Sequence, residues 1–303
     1  MAKKKQKVTT ADVVSTAAAS NEYLVALTER AKRLLSQAIA RLEREILRLV
    51  DTLISEEGRL VSTRTALKQA QKVHARLTTL FEQEYGEAYK SVVAEMAGGV
   101  KDLVAESYRS LGAAAKFTDV DREMIKALQR SAWAQFEMYG NQAQERIAKA
   151  MYEQMFSRAS YTELENIVRG IVRGHEDARG VPMEAHARQI STDAIMNFHS
   201  ELTITKGEDA GLSTFLYYGD IILTSREFCI ERAGYTFDRE TIESWNDLDW
   251  KGKAGPPLIY RGGYNCRHSW ILIEDEWMAG ESRAEIQDAF AERGLAYPHE
   301  REK

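Results

Sequence analysis

The residues of this chain best suited to chemistry are its two cysteines and a nearby histidine, all in the last third. Cys266 and His268 are two residues apart, and Cys229 precedes them by a longer segment. Two thiolates and one imidazole are ligands that Zn²⁺ prefers, and Asp220, His299 or water could supply a fourth. Two other interpretations stay open. The thiols could form a disulfide outside the cell, or they could be buried as small apolar side chains.

The same side chains could also serve catalysis, because a Cys–His pair is the minimum for a thiol nucleophile and residues i and i+2 share one face of a strand. The sequence has no nucleophile elbow, no phosphate-binding glycine loop and no metalloprotease helix motif. The remaining histidines are scattered, mostly on predicted helices, as structural or solvent-facing residues: His74, His175, His186, His199 and His299. We therefore predict no catalytic residue.

A second candidate site consists of cations at every fourth residue, and we call it the cationic row: Arg64, Lys68, Lys72 and Arg76. Like charges at i and i+4 of a helix repel mildly, so the row favours contact with DNA phosphates or with an acidic partner surface. No groove-reading motif accompanies it, which predicts contact without sequence specificity. The alternative is neutralisation by acids of a neighbouring helix, such as Glu43, Glu45, Glu56 and Glu57.

Residues 1–8 form a basic tail that we predict to be disordered, and its lysines could also contact nucleic acid: Lys3, Lys4, Lys5 and Lys7. A short basic tail can equally be a solubilising end. Charge is segregated along the chain, since residues 1–81 carry 15 basic and 8 acidic side chains, whereas residues 213–303 carry 11 and 17. The segregation indicates that the basic and acidic parts of the chain contact different kinds of partner, or it is a chance imbalance on solvated helices.

The composition is that of a globular protein, with 44% hydrophobic and 29% charged side chains among 303 residues. No apolar run approaches the roughly 20 residues needed to cross a bilayer, so we predict no membrane segment. The N-terminus carries no secretory signal, which predicts synthesis and use without export.

The elements that must position these residues are mainly α-helical over residues 9–210, an elongated body of long hairpin or bundle helices. All four prolines lie at or after Pro182, so nothing forces a break upstream. Helices are predicted over about 10–57, 63–96, 118–151, 160–174 and 182–206. We expect Gly58 to end the first of them, and Gly98-Gly99 to interrupt the second before a short helix to Leu111.

The first helix carries apolar residues at alternating spacings of four and three: Leu35, Ile39, Leu42, Ile46, Leu49 and Leu53. This spacing is typical of a coiled coil or an antiparallel helical hairpin. The seam packs either within the chain or between copies, and the second case would make the protein a homo-oligomer through its helical body.

The residue composition changes from residue 211, and residues 211–303 are predicted to form a small α+β module. Phe215–Leu223 and Ser269–Ile273 are rich in β-forming residues, and short helices are expected near 225–233 and 282–293. Four of the five tryptophans and both cysteines lie in this module.

An ordered series of residues runs through the module: Asp220, Thr224-Ser225-Arg226, Cys229, Trp245, Pro256-Pro257 and Asn265-Cys266-Arg267-His268. This series resembles the Mu F-like head morphogenesis domain found in minor head proteins of tailed bacteriophages. His268 stands where many members of that family carry a second cysteine. The swap keeps a metal ligand and removes a vicinal thiol pair.

The resemblance implies a non-enzymatic virion protein that associates with the portal and capsid, assists procapsid assembly, and in some phages affects DNA packaging or ejection. It implies assembly in the host cytoplasm, a location in the phage head near the portal, and non-specific contact with packaged DNA. Two alternatives stay open. One is a toxin-like transferase or hydrolase that uses Cys266 and His268, and the other is a zinc-dependent adaptor protein.

Overall fold

The computed structural model of the protein describes residues 7–113, 116–174 and 180–295. Most of the predicted basic tail, including Lys3, Lys4 and Lys5, lies outside the described residues, as do His175 and His299. Within the described residues, no helix is both long and apolar enough to cross a membrane.

The predicted mainly α fold with a small C-terminal α+β module is confirmed. Six helices precede the module in the described chain: α1 (Thr10–Val50), α2 (Arg64–Leu80), α3 (Glu87–Ser110), α4 (Asp119–Phe156), α5 (Tyr161–Val172) and α6 (Met183–Asp209). Capping follows the sequence signals. Thr63 accepts from the backbone N–H of Ala66, and Ser160 forms a reciprocal capping box with Glu163 at the start of α5.

The first helix ends at Val50, not at the predicted residue 57. Two short antiparallel strands follow, β1 (Ser55–Glu56) and β2 (Arg59–Leu60). The two residues between the paired positions, Glu57 and Gly58, both have positive φ, at 52° and 76°. Positive φ at both central residues is typical of a type I′ hairpin turn, so Gly58 serves a turn here and does not cap a helix.

The predicted interruption at Gly98-Gly99 is wrong, because both glycines lie inside α3. A Cβ added at Gly99 would collide with the hydroxyl of Tyr23 on α1, whereas one added at Gly98 would meet nothing within 4 Å. The irregularity lies earlier, where the π-helical turn Phe81–Gly86 joins α2 to α3. Gly99 therefore permits a close approach of Tyr23 and does not end the helix.

The apolar seam of α1 is buried by the chain itself. Leu35, Ile39, Leu42 and Ile46 have no solvent exposure, and Val50 is buried where the predicted pattern has Leu49. The seam therefore packs within the chain, and a homo-oligomer through the helical body stays a prediction.

The described chain divides into two compact units. One contains the described parts of residues 1–28, 96–126 and 192–303, and the other contains residues 29–95 and the described parts of 127–191. The four longest helices each contribute residues to both units. The C-terminal module belongs to the first unit together with residues 192–209 of α6.

The module is built on a three-stranded antiparallel sheet in the order β4-β3-β5: β3 (Thr214–Tyr218), β4 (Thr236–Phe237) and β5 (Ser269–Ile273). Tyr217 pairs with Trp270 in the register of β3 and β5. Four helices complete the module: α7 (Glu227–Arg232), α8 (Arg239–Ser244), α9 (Pro257–Tyr260) and α10 (Arg283–Glu292).

The strand predicted over Phe215–Leu223 ends at Tyr218. The next residue, Gly219, has a φ of 140°, and a Cβ there would lie 2.8 Å from the Cα of His268. The chain therefore leaves the sheet at the one residue type that fits against His268. Leu223, at the end of the predicted strand, is 98% exposed.

Candidate functional site

The two cysteines and His268 meet in the interior of the module, and we call these three residues the cysteine cluster. The Sγ atoms of Cys229 and Cys266 are 3.8 Å apart, and Sγ of Cys266 is 3.8 Å from Nδ1 of His268. Each of the three side chains is less than 5% exposed. A ligand atom from each residue lies within 4.8 Å of the others.

Separate elements deliver the three residues. Cys229 lies on α7, Cys266 lies in the loop after α9, and His268 immediately precedes β5. The loop also holds the thiol of Cys266 in place, because the backbone N–H of Gly262 donates to its Sγ at 3.3 Å. A Cβ at Gly262 would collide with Sγ of Cys229 and lie 3.2 Å from Sγ of Cys266. Glycine is therefore the residue that leaves room for both sulfur atoms.

The cluster has a fourth polar neighbour that was not foreseen from the sequence. The hydroxyl of Tyr217, on β3, lies 3.4 Å from Sγ of Cys229 and 3.6 Å from Sγ of Cys266. Its ring stacks on the imidazole of His268 with the ring centroids 5.2 Å apart. No local signal in the sequence connects Tyr217 with cysteines 12 and 49 residues away.

The distances suit a tetrahedral metal centre. Two thiolates bound at about 2.3 Å with a tetrahedral angle lie about 3.8 Å apart, which is the observed separation of Cys229 and Cys266. Nε2 of His268 is buried without a hydrogen-bond partner among the described residues, so the imidazole retains an uncommitted nitrogen. The cysteine cluster can therefore hold a metal ion.

Of the fourth ligands suggested by the sequence, the structure describes Asp220, which does not lie with the other three. Asp220 is not part of the metal-competent group; it borders a groove beside α1 that is also lined by Asn21 and Arg293. His299 lies outside the described residues. Both thiols are free in this structure, and their separation exceeds the roughly 2.05 Å of a disulfide bond.

The electrostatics of the cluster distinguish its two thiols. The hydrogen bond with Cys229, followed by the contact with His268, lowers the pKa of Cys266 well below that of an ordinary thiol, against the effect of burial. The interaction with Cys266 and burial raise the pKa of Cys229. Burial also raises the pKa of Tyr217, which keeps its hydroxyl protonated and able to donate to sulfur. Cys266 is therefore the thiol that ionises first.

Several residues of the ordered series brace the loops around the cluster. Arg226 donates from Nε to the carbonyl of Lys251 at 3.0 Å and from Nη2 to the carbonyl of Tyr264 at 2.6 Å. The side chain thereby ties the segment before α9 to the loop that carries Cys266. Because two nitrogens of the planar guanidinium donate to two different carbonyls, a lysine could not reproduce this geometry.

The aromatic and proline positions of the series also serve packing. Trp245 meets the ring of Phe228 edge-on at 5.6 Å and lies 4.5 Å from the guanidinium of Arg232. Pro256 and Pro257 start α9, and the carbonyl of Pro257 accepts a hydrogen bond of 3.2 Å from Nε1 of Trp270. Proline suits the first helical turn because its missing N–H has no intrahelical partner there.

Asn265 has a φ of 56°, a left-handed conformation that asparagine tolerates better than most residues. Its backbone N–H donates to the carboxylate of Asp193 on α6 at 2.7 Å. Thr224, by contrast, is exposed without a hydrogen-bond partner in the described chain, and Arg267 is exposed. Not every position of the series therefore supports the cluster.

Arg261 is a structural residue that no pattern in the sequence singles out. It is fully buried, and Nη1 donates to the carbonyl of Met196 at 2.8 Å and to Oγ of Ser200 at 2.7 Å. Nη2 donates to Oδ1 of Asn197 at 2.9 Å. These contacts attach the loop after α9 to α6. From the sequence, an arginine before a Gly-Gly pair is expected to be exposed, because buried arginines are rare.

His199 lies beside this contact. Its Nδ1 is 3.0 Å from Oγ of Ser269, and Nε2 is 3.3 Å from Oγ1 of Thr203. Burial, followed by the charge of Arg261, lowers the pKa of His199 to about 3. The imidazole is therefore neutral in the folded protein over the physiological range. The expectation of a structural histidine at this position agrees with its burial.

The cationic row lies on α2, and all four of its side chains are exposed and without ion pairs in the described chain. Three of the four acids that could have balanced it pair with other cations. Glu43 pairs with Arg169 and Arg173, at 3.2 and 2.9 Å. Glu45 pairs with Arg48 and Glu56 with Arg158. The row therefore presents uncompensated positive charge, while Lys7, from the tail, is also exposed.

Comparisons of this chain with protein-family models, with curated proteins and with solved structures found no match.

Proposed function

We propose that this protein is a non-enzymatic minor head protein of a tailed bacteriophage, a structural component of the virion that associates with the portal and capsid. In this proposal it is assembled in the host cytoplasm, resides in the head near the portal, and assists procapsid assembly and the packaging or ejection of DNA. The observation that carries the proposal is that most residues of the ordered series form one buried cluster or brace the loops around it.

That convergence supports a structural role for the series. Arg226, Trp245, Pro257 and Asn265 are spread along the module, yet each makes a contact that frames the loops around the cysteines. Arg226 bonds to a backbone carbonyl, Trp245 and Pro257 contact aromatic rings, and the backbone N–H of Asn265 donates to the carboxylate of Asp193. Residues that contact neighbouring loops in this way stabilise one conformation of the module. Among the described residues, these four line neither the groove beside α1 nor the cleft between the π-helical turn and α4.

The burial of the cysteines argues in the same direction. A thiol nucleophile must reach its substrate, but Cys266 is 3% exposed, and neither the groove beside α1 nor the cleft at the π-helical turn is lined by Cys266 or His268. The low pKa of Cys266 is equally what a metal-binding thiol needs. The toxin-like transferase or hydrolase is therefore the weaker alternative.

For the metal we propose Zn²⁺, held by Cys229, Cys266 and His268. Zinc prefers sulfur and nitrogen ligands in tetrahedral geometry, and bound zinc would keep both thiols ionised and cross-link α7 to the loop before β5. Dialysis of the purified protein against a chelator should lower its melting temperature, and added Zn²⁺ should restore it. An unchanged melting temperature after chelation would count against zinc and against the zinc-dependent adaptor.

The cationic row supports the proposed partners. Positive charge without internal acids suits the phosphates of packaged DNA or an acidic surface of a portal. Its spacing along a single helix gives a stripe and not a groove-reading shape, so any DNA contact of this surface is non-specific.

Co-expression with the portal protein of the same genome tests the function. The wild-type chain should co-purify with portal assemblies, and no portal association would argue against the proposal. Replacing Cys266 by serine separates the structural case from the catalytic one. A structural cluster predicts loss of stability or of portal association, whereas a catalytic thiol predicts a folded, assembled and inactive protein.

A further inference from the structure

A cleft of about 430 Å³ opens between the π-helical turn Phe81–Gly86 and α4, and all its lining residues belong to one compact unit. Aromatic rings form much of its wall: Phe81, Tyr85, Trp133 and Phe136. π-helical turns are rare and often mark functional positions, because they widen the helix and redirect its side chains. The volume falls within the range of small-ligand sites.

The aromatic wall is held in place by close packing. The ring of Phe136 stacks against Tyr85 at 4.0 Å and against Tyr89 at 3.6 Å between centroids. Opposite them, a Cβ at Gly140 would lie 3.2 Å from Cε1 of Tyr85, so glycine allows α4 to approach this ring closely. The hydroxyl of Tyr85 is buried and has no hydrogen-bond partner among the described residues. The wall is thus preformed and contains an unused polar atom.

The rim of the cleft is acidic. Glu82, Glu87 and Glu137 line it together with a single cation, Lys90. Glu87 is paired with Lys90, but Glu82 and Glu137 are exposed and form no ion pair within the described part of the chain. The cleft therefore has two uncompensated carboxylates beside aromatic surface.

The chain already places one ammonium group in this environment. Nζ of Lys90 is 2.6 Å from Oε1 of Glu87 and 5.7 Å from the ring centroid of Trp133. A carboxylate and an aromatic face together are the combination that holds an organic cation, through a charge-assisted hydrogen bond and a cation–π contact. Glu82 and Glu137 offer the same chemistry to a second cation.

We propose that this cleft binds an organic cation, an ammonium or guanidinium group on an aliphatic stem. The stem lies against the aromatic wall, and the cationic head is held by Glu82 and Glu137. An anion would meet repulsion from both carboxylates, and a neutral molecule would leave them uncompensated. The cation has two possible sources, a free small molecule or a lysine or arginine side chain of a partner protein.

Isothermal titration of the purified full-length chain with agmatine tests the proposal, with 1-butanol as a neutral probe. Agmatine should bind and 1-butanol should not. The double variant Glu82→Gln/Glu137→Gln should weaken agmatine binding about tenfold or more. Glu145→Gln, an exposed site on α4 that does not line the cleft, should leave it unchanged. Equal binding by the double variant, or no agmatine binding at millimolar concentrations, would overturn the proposal.

A second titration separates the two sources. Acetyl-arginine amide carries the same guanidinium group in a peptide context. Tighter binding of agmatine than of this probe supports a free small molecule, and the reverse order supports a partner's side chain. Both results require the double variant to lose the binding, since otherwise the cations bind elsewhere and the proposal fails.

Discussion

The cysteine cluster and the cationic row are the two regions of the molecule with the clearest chemistry, and they are built in opposite ways. The cluster is assembled from three separate elements, is almost fully buried, and is surrounded by hydrogen bonds from its own chain. The row lies on a single helix, is exposed, and has no internal partner in the described residues. Changes at the cluster and its supports should therefore affect the fold, whereas changes at the row should affect binding.

The largest expected effect follows from removing a support of the module. Arg261→Ala deletes the donors to Met196, Asn197 and Ser200 and leaves a cavity, so it should lower the free energy of unfolding by about 3–5 kcal/mol. Urea denaturation measures it. Arg76→Ala, the matched arginine of the exposed row, should change stability by less than about 0.5 kcal/mol. Similar losses from both variants would remove the contrast between the two regions.

The next effect is a pH dependence from His199 in the buried region. Its pKa is about 3 in the folded protein and about 6.5 in the unfolded chain. Between these values only the unfolded state binds the proton, so the free energy of unfolding should fall by about 1.4 kcal/mol for each unit of acidification below pH 6.5.

Urea denaturation between neutral pH and about pH 5 checks the pH prediction. The pKa of His186 is also lowered, by burial and the charge of Arg146, and acts in the same direction. Comparison with His199→Gln isolates His199. In this variant the change in the free energy of unfolding per pH unit should be smaller by about 1.4 kcal/mol, the contribution of one proton. An unchanged slope in the variant would show that His199 is not the titrating group.

A smaller effect separates two neighbouring glycines of α3. Gly98→Ala meets nothing within 4 Å and should raise the free energy of unfolding by about 0.5–1 kcal/mol, since alanine favours helix. Gly99→Ala has the same helix advantage but must displace the hydroxyl of Tyr23. It should be less stable than Gly98→Ala by about 1–2 kcal/mol in thermal or urea denaturation. Equal stabilities would mean that Tyr23 does not pack against Gly99.

The smallest effect on stability is expected at the row itself. Replacing its four cations by glutamine should leave the unfolding transition nearly unchanged, because none has an internal partner in the described chain. If the row contacts DNA, the variant's affinity for duplex should fall. The slope of log affinity against log salt should lose about 0.9 for each phosphate contact removed, up to about 3.6 for four. A variant that binds duplex with the wild-type salt dependence would assign DNA contact to another surface.

Much of the fold was predictable because it rests on local signals. The capping box at Ser160 and the long helices without proline are properties of neighbouring residues, and the structure has them where the sequence places them. The turn at Glu57-Gly58 and the continuous α3 were not predicted. In both cases a glycine was interpreted as a helix terminator, whereas its role depends on a turn geometry or on a distant side chain.

The candidate metal ligands could be predicted from the sequence, but the residues that hold them in place could not. Cys229, Cys266 and His268 could be selected by residue type, and the structure brings them together. Tyr217, Arg261 and Gly262 act through contacts with residues far away in the sequence, and no local sequence pattern predicts these contacts. The placement of the cationic row could be predicted from its helical spacing alone, whereas the partner proposed for it could not be tested from the chain itself.

The most direct test of the proposed function is a density map of the procapsids or virions made by the genome that encodes this chain. The proposal predicts that the protein is found in the head beside the portal, with the cationic row facing DNA or an acidic portal surface. Absence of the protein from both procapsids and virions would contradict it.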